Sequence, residues 1–259
     1  MQFSVRYIIL FSLAVCGVCA VFVSTLAVSL KDAQEVNKLL DKKKNVLMAA
    51  GLVQSGERVE ASVIEERFAK FQPVVIDLAT GTELSDVDPD TFDQRKAKKD
   101  PDNSRVAPKN NAGVNRMPLQ ALAYKALADD GSLEMLIVPV EGYGLWSTLY
   151  GFLALGDDLN TVRGLAYYEH GETPGLGGEV ENPRWRAVWP GRKIFGSDGQ
   201  PVIEVIKGPA GPADQDPHRI DGLSGATITA RGVSNMMRFW LGDEGFGPYI
   251  KNLHQKGAA

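Results

Sequence analysis

The chain opens with a stretch that has no hydrophobic–polar alternation, because Tyr7 to Leu30 contains no charged residue. A helix rises about 1.5 Å per residue, so this run can cross a hydrocarbon core of roughly 30 Å. A secretory signal has a shorter apolar core, about 7–15 residues, and a small-residue cleavage site. Val18-Cys19-Ala20 matches such a site imperfectly, and the apolar run continues past it. The pattern therefore predicts a tail at 1–6, an uncleaved single-pass anchor at 7–30 and a soluble domain over 31–259.

Periodicity begins after the anchor. Val36, Leu39, Leu40, Val46 and Leu47 recur at helical spacing and predict a helix over Asp32–Leu52. Val59, Val63, Ile64 and Phe68, interleaved with glutamates, predict a second, short helix. "PVVIDLATG" from Pro73 reads as a strand that ends in a turn at Gly81. Ser85 to Arg116 has only Val87, Phe92, Val106 and Val114 as sizeable apolar residues. That is too little apolar area for a core of its own, so it reads as a surface excursion or mobile insertion able to pack on a partner.

Order returns at Met117. Leu133–Val140, "YGFLALG" and "TVRGLAYYEHGE" carry the strand pattern, with glycines at the turns. "IFGSDGQPVIEVIKG" predicts a hairpin about Gly196–Gly199. Thr229, Val233, Met236, Met237 and Trp240 mark an amphipathic helix to Leu241, with Gly242 placed to end it. The predicted class is α+β: one transmembrane helix, then an antiparallel-sheet domain with helices at its ends.

Composition narrows the function. The chain is 44% apolar and 23% charged, with a net charge of -4. No basic stripe exists to replace the counterions of a nucleic acid, so nucleic acid is not an expected partner. The Lys42–Lys44 run reads as a solvated helix face or a juxtamembrane patch. Both cysteines, Cys16 and Cys19, lie in the apolar run, and His170, His218 and His254 have no ligand spacing. No disulfide, zinc site or iron–sulfur cluster is expected in the soluble domain. Arg6 lies before the anchor and Lys31, Lys38 and Lys42–Lys44 after it, a bias that favours a cytoplasmic domain.

Three stretches carry candidate chemistry. "GLSGA" nearly forms a nucleophile elbow at Ser224, but Ala226 replaces the last glycine and only His254 follows. "TPGLGGE" is neither a dinucleotide fingerprint nor a Walker loop, although a tight glycine turn can approach a planar ligand. "DGLSGATIT" offers Ser224, Thr227 and Thr229 ahead of a helix. One hydroxyl suffices for a cap, whereas a helix N-terminus also attracts phosphate.

"D-G-L-S-G-A-T" resembles the flavinylation motif of the covalent FMN-binding domain family. "GYGLWSTLYGFLAL", "GETPGLGGE", "WRAVWPGRKIF", "FWLGDEGFGPYI" and "KKKNVLMAAGL", with the single anchor and the length, resemble the C subunits of Na+-translocating NADH:quinone oxidoreductases. The related G subunit of the Rnf electron-transport complex shares the motif but is typically shorter. A membrane-anchored flavin-binding sensor is a further alternative.

The resemblance implies FMN joined through its phosphate to Thr227, with Thr229 the disfavoured rival and Asp221, Ser224, Gly225 and Ala226 completing the motif. It assigns Glu172, Thr173, Gly175, Leu176 and Gly177 to a flavin-side loop, in which Thr173 could bond a ring heteroatom and Leu176 cover the ring. Trp146 and Ser147 become wall residues, and Lys207 a counter-charge. It further implies an electron relay with no catalytic site of its own and no NADH or sodium site. Its expected partners are the other members of a membrane complex of six subunits, coupling NADH oxidation and quinone reduction to sodium export. A flavin transferase would load it from FAD. The family's domain lies on the periplasmic side of the bacterial inner membrane, against the Lys/Arg count.

Overall fold

Apolar and polar helical stretches near the N-terminus merge into one element, helix α1, Val5–Ala49. The sequence pattern separates an anchor from a helix beginning at Asp32, but no breaker lies between them and the helix is continuous. In the computed structural model, residues 4–54 and 56–257 are described, and the chain divides into compact units at Lys42/Lys43. In the first unit, Val5–Lys31 is long and apolar enough to cross a membrane, and its side chains are exposed along its length.

The second unit continues with α2 (Ala61–Phe68), β1 (Phe71–Asp77), β2 (Thr82–Leu84), α3 (Gln94–Lys99), β3 (Ser104–Val106) and β4 (Arg116–Pro118). Next come the long strands β5 (Gln120–Leu127), β6 (Leu133–Tyr143), β7 (Thr148–Gly156) and β8 (Val162–Glu169). A 3-10 turn at Gly177–Glu181, α4 (Pro183–Arg186), β9 (Glu204–Val205), β10 (Arg219–Ile220), α5 (Thr227–Leu241) and α6 (Gly247–Gly257) complete it. The main sheet has the order β2-β1-β5-β6-β7-β8, antiparallel throughout.

Alternation along the strands gives the sheet two apolar faces. On one, Leu136, Val138, Val140 and Leu153 join Val233, Met236, Met237 and Trp240 of α5 in the main core. On the other lie buried Phe71, Val75, Tyr124, Ile137 and Phe152, with Val46, Leu47 and Ile64 from the ends of α1 and α2 also buried. Phe68, Tyr124, Phe152 and Tyr168 form a chain of ring contacts across this second face.

Two readings need correction. The 85–116 stretch is clamped to the domain, not a free excursion. Arg95 of α3 stacks 3.8 Å over the Tyr150 ring and pairs with Glu169 at 2.7 Å. Lys98 pairs with Glu141, Gln94 accepts from the Leu122 amide, and Ala112 and Val114 are buried. Charge, ring stacking and backbone pairing do what the missing apolar area could not. The hairpin about Gly196–Gly199 keeps its turn but not its ladder, being reduced to a bridge between Phe195 and Pro201. Glu204–Val205 instead pairs in parallel with Arg219–Ile220, and the Val205 amide donates to the Ser234 hydroxyl of α5 at 2.9 Å. The segment bearing His254 is helix α6, seated by buried Tyr249 and Ile250.

Helix α5 lies almost directly on the end of β6. A Cβ on Gly232 would stand 2.3 Å from the Tyr143 carbonyl oxygen, and one on Gly142 2.5 Å from the Met236 Cβ. Trp240 Nε1 donates to the Glu141 carbonyl at 2.6 Å and locks the far end of the same contact. Gly232→Ala is therefore expected to destabilise the domain by about 1–3 kcal/mol through overpacking. A urea titration would measure this, and Gly211→Ala, whose added Cβ would meet only Asp216 Cβ at an ordinary 3.4 Å, controls for the change of residue type.

Candidate functional site

The tight seating of α5 brings three loops to its N-terminal end. One is the turn after β6, where the Gly144 amide donates to the Ser147 carbonyl and the Tyr143 hydroxyl to that of Trp146. The second follows β8 and tightens at residues 173–178, where the Leu176 and Gly178 amides share the Thr173 carbonyl and Gly175 takes φ +76°. The third is the Ser224–Gly225 turn, with Gly225 at φ +70°.

Glu172 joins two of these loops to the helix. Its carboxylate accepts from the amides of Leu145 (3.0 Å), Trp146 (2.9 Å) and Ser147 (3.2 Å), and from the Thr229 hydroxyl at 2.6 Å. Gly144 and Gly177 have no room for a side chain, since a Cβ would meet this carboxylate at 2.6 and 2.4 Å. Burial alone would raise the Glu172 pKa, but the Thr229 hydroxyl and the Trp146, Ser147 and Leu145 amides outweigh it, and the group lies below its ordinary value. Thr229 is wholly buried, with 0% exposure.

Helix α5 begins at Thr227, two residues before the start predicted from periodicity, and no side chain caps it. Thr227 is exposed and lines an open cleft of about 660 Å³. Ser224, Gly225, Asp221 and Lys207 share that lining with Arg231 and Arg238. Arg238 pairs with Glu204 at 3.5 Å, while Lys207 and Arg231 have no ion-pair partner among the described residues. Asp221 is bound up in the backbone: its Oδ1 accepts from the Ala210 amide and its carbonyl from Trp185 Nε1, each at 2.8 Å.

The residues singled out from sequence thus fall into two groups that touch at Gly225, where a Cβ would lie 2.9 Å from Leu176 Cδ2. Thr227, Ser224, Gly225, Asp221 and Lys207 line the polar cleft, and Ala226 is buried beneath it. Thr173, Leu176 and Trp146, the last 66% exposed, lie outside that lining, exposed on the two loops that Glu172 joins. Ser147 turns inward, its Oγ accepting from the Gly171 amide at 2.6 Å. The Glu172 oxygens are likewise committed to protein donors. Arg231 escapes a reading of the sequence by motif, although its position four residues after Thr227 puts it on the same helix face. The nucleophile-elbow reading lacks its context, because the main sheet is antiparallel.

An exposed threonine, an uncapped helix start, two cations without ion-pair partners among the described residues, and exposed Leu176 and Trp146 on the adjoining loops fit a ligand with a phosphate and a flat ring system. The comparisons agree with that chemistry. Residues 144–242 match the model of the FMN-binding domain. The C subunit of Na+-translocating NADH-quinone reductase from Pseudomonas aeruginosa is 46% identical over 264 residues, covering 100% of this chain and 99% of the relative. The chain belongs to this C-subunit family. The corresponding protein of Yersinia pestis is also 46% identical, over 93% of the chain and 90% of its own length. Among solved structures, NqrC of Shewanella oneidensis superposes with a TM-score of 0.76 at 38% identity, covering 85% of this chain and 99% of that one. The C subunit from Parabacteroides distasonis gives 0.65 at 27%, covering 85% and 96%. Membership also makes the chain part of an oxidoreductase complex, with an antiparallel FMN-binding domain behind its apolar helix.

The lowered pKa of Glu172 fixes the sign of a pH effect. Its ionised form contributes stability that is fully present above the pKa of an unfolded glutamate, about 4.3, and is lost as pH falls through the lower folded value. Glu172→Gln is expected to cost about 1.5–3 kcal/mol at neutral pH, the range for hydrogen bonds to charged groups. That gap should close on acidification, which denaturant unfolding of both proteins across the acid range would measure.

Proposed function

We propose that this chain holds FMN in phosphoester linkage to Thr227 and relays electrons within a sodium-translocating NADH:quinone reductase, anchored by its N-terminal helix. The observation that carries this reading is the contrast between two threonines. Thr227 is exposed at an uncapped helix start and lines a cleft with Lys207, Arg231 and Arg238. The rival Thr229 is buried, and its hydroxyl is spent on Glu172.

Bound FMN supplies reversible electron transfer at its ring. The chain does the rest. Ser224, Lys207 and Arg231 meet the phosphate charge, together with the free amides of the first turn of α5. Thr173, whose hydroxyl makes no hydrogen bond among the described residues, bonds a ring heteroatom, while Leu176 covers the ring and Trp146 walls it. Asp221, Gly225, Ala226, Glu172, Gly175, Gly177 and Ser147 shape the loops that carry these groups. No acid–base pair is required, in keeping with a site poor in histidine.

Attachment is an exchange of phosphoryl bonds. The Thr227 Oγ1 bonds to the phosphorus of the FMN half of FAD as the pyrophosphate bond breaks. AMP leaves with the bridging oxygen, the hydroxyl proton is released, and no atom changes oxidation state. A flavin transferase catalyses the step on the periplasmic side of the inner membrane, which sets the N-terminus in the cytoplasm. The Lys/Arg bias opposes that orientation, but one span held within an assembly is weakly governed by it. The other members of the complex of six subunits provide the NADH, sodium and ubiquinone sites. The match over 99% of the length of the Pseudomonas relative favours this assembly over the shorter Rnf-type protein and over an isolated sensor.

Intact-mass measurement after co-expression with a flavin transferase tests the linkage. Wild type is expected to gain the mass of FMN less one water, and Thr227→Ala to gain nothing. Equal loading of Thr227→Ala would refute the acceptor assignment.

A further inference from the structure

The Glu172 carboxylate is the most heavily engaged polar group near the site, and none of its partners is close in sequence. Thr229 is 57 positions away, and the amides of residues 145–147 are 25 to 27 away. Those partners belong to the turn that presents Trp146 and to the first turn of the helix that presents Thr227. The Glu172 backbone belongs to the loop that presents Thr173 and Leu176. One residue therefore joins all three carriers of the proposed site. Its own amide donates to His170 Nδ1 at 3.2 Å, which ties the start of the loop to the residue that follows strand β8.

We propose that Glu172 is the positioning residue of this site, holding the Thr227 hydroxyl, the Trp146 turn and the Leu176 loop in one register for attachment of the phosphorylated flavin. The inference rests on the FMN reading above. It differs from direct flavin binding, because both carboxylate oxygens are occupied by protein donors. Thr229 becomes the second half of the device, a hydroxyl kept for tethering the helix start to Glu172. A carboxylate suits this role better than an amide, because it accepts along both oxygens and draws several N–H donors to one point.

The test compares Glu172→Gln, Thr229→Val, Thr229→Ser and Thr227→Ala in the full chain in detergent, with purified flavin transferase and FAD. Initial rates of attachment are read by intact mass, and folding by circular dichroism and cooperative melting. Glu172→Gln and Thr229→Val are expected to stay folded yet attach flavin about ten- to a hundredfold more slowly, as for a reacting group misplaced by about 1 Å. Thr229→Ser keeps the hydroxyl and should restore nearly the wild-type rate. In selectively labelled protein, the amide resonances of Leu145, Trp146 and Ser147 should move together on acid titration and stop doing so in Glu172→Gln. Attachment at the wild-type rate in folded Thr229→Val, or in folded Glu172→Gln, would overturn the positioning role. Flavin on Thr227→Ala would instead sink the reading on which it rests.

Discussion

Everything at this site depends on how closely helix α5 approaches the end of strand β6. With no side chain at Gly232 or Gly142, the helix backbone meets the strand backbone, and the first turn of α5 comes level with the turn that follows the strand. Contact at that distance is governed by hard-core repulsion, so it admits little adjustment. The apolar face of α5, with Val233, Met236, Met237 and Trp240 buried, supplies the attraction that closes the gap. The Trp240 indole bonded to the Glu141 carbonyl fixes the helix along its axis.

On this frame a polar junction can be built where burial would otherwise be costly. An ionised carboxylate is tolerated at Glu172 because four donors converge on it, three of them backbone amides with no conformational entropy left to lose. The same economy appears on the opposite face of the sheet. There Arg95 sits over the Tyr150 ring and pairs with Glu169, so that a polar segment is held without a core of its own.

Much of the architecture is legible because periodicity reports burial. The anchor, α2, α5 and strands β1, β6, β7 and β8 all announce themselves through apolar spacing. Strand β5, "QALAYKAL", does not, since its alanines fit helix and strand alike. The 85–116 segment misleads because its attachments are ionic, stacked and hydrogen-bonded, and none of these leaves an apolar signature. The hairpin about Gly196–Gly199 misleads for a related reason: Val205 is recruited by a serine of α5, a partner that local pattern cannot reveal. For the site, motif resemblance points to Thr227 and its neighbours. The separation of Thr227 from Thr229, the commitment of Glu172 and the presence of Arg231 emerge only when distant segments are brought together.

The missing cap on α5 has a consequence for local stability. A helix start with free amides and exposed Thr227 and Ile228 is the part of the element that opens first, at little cost to the core. Such fraying usually has no defined limit. Here it has one, because Thr229 is buried and bolted to Glu172, so only the residues ahead of it are free to unwind. Thr227 is thus exposed to solvent only two positions ahead of a fixed point, so the loosest end of the helix is also the one with least length over which to stray.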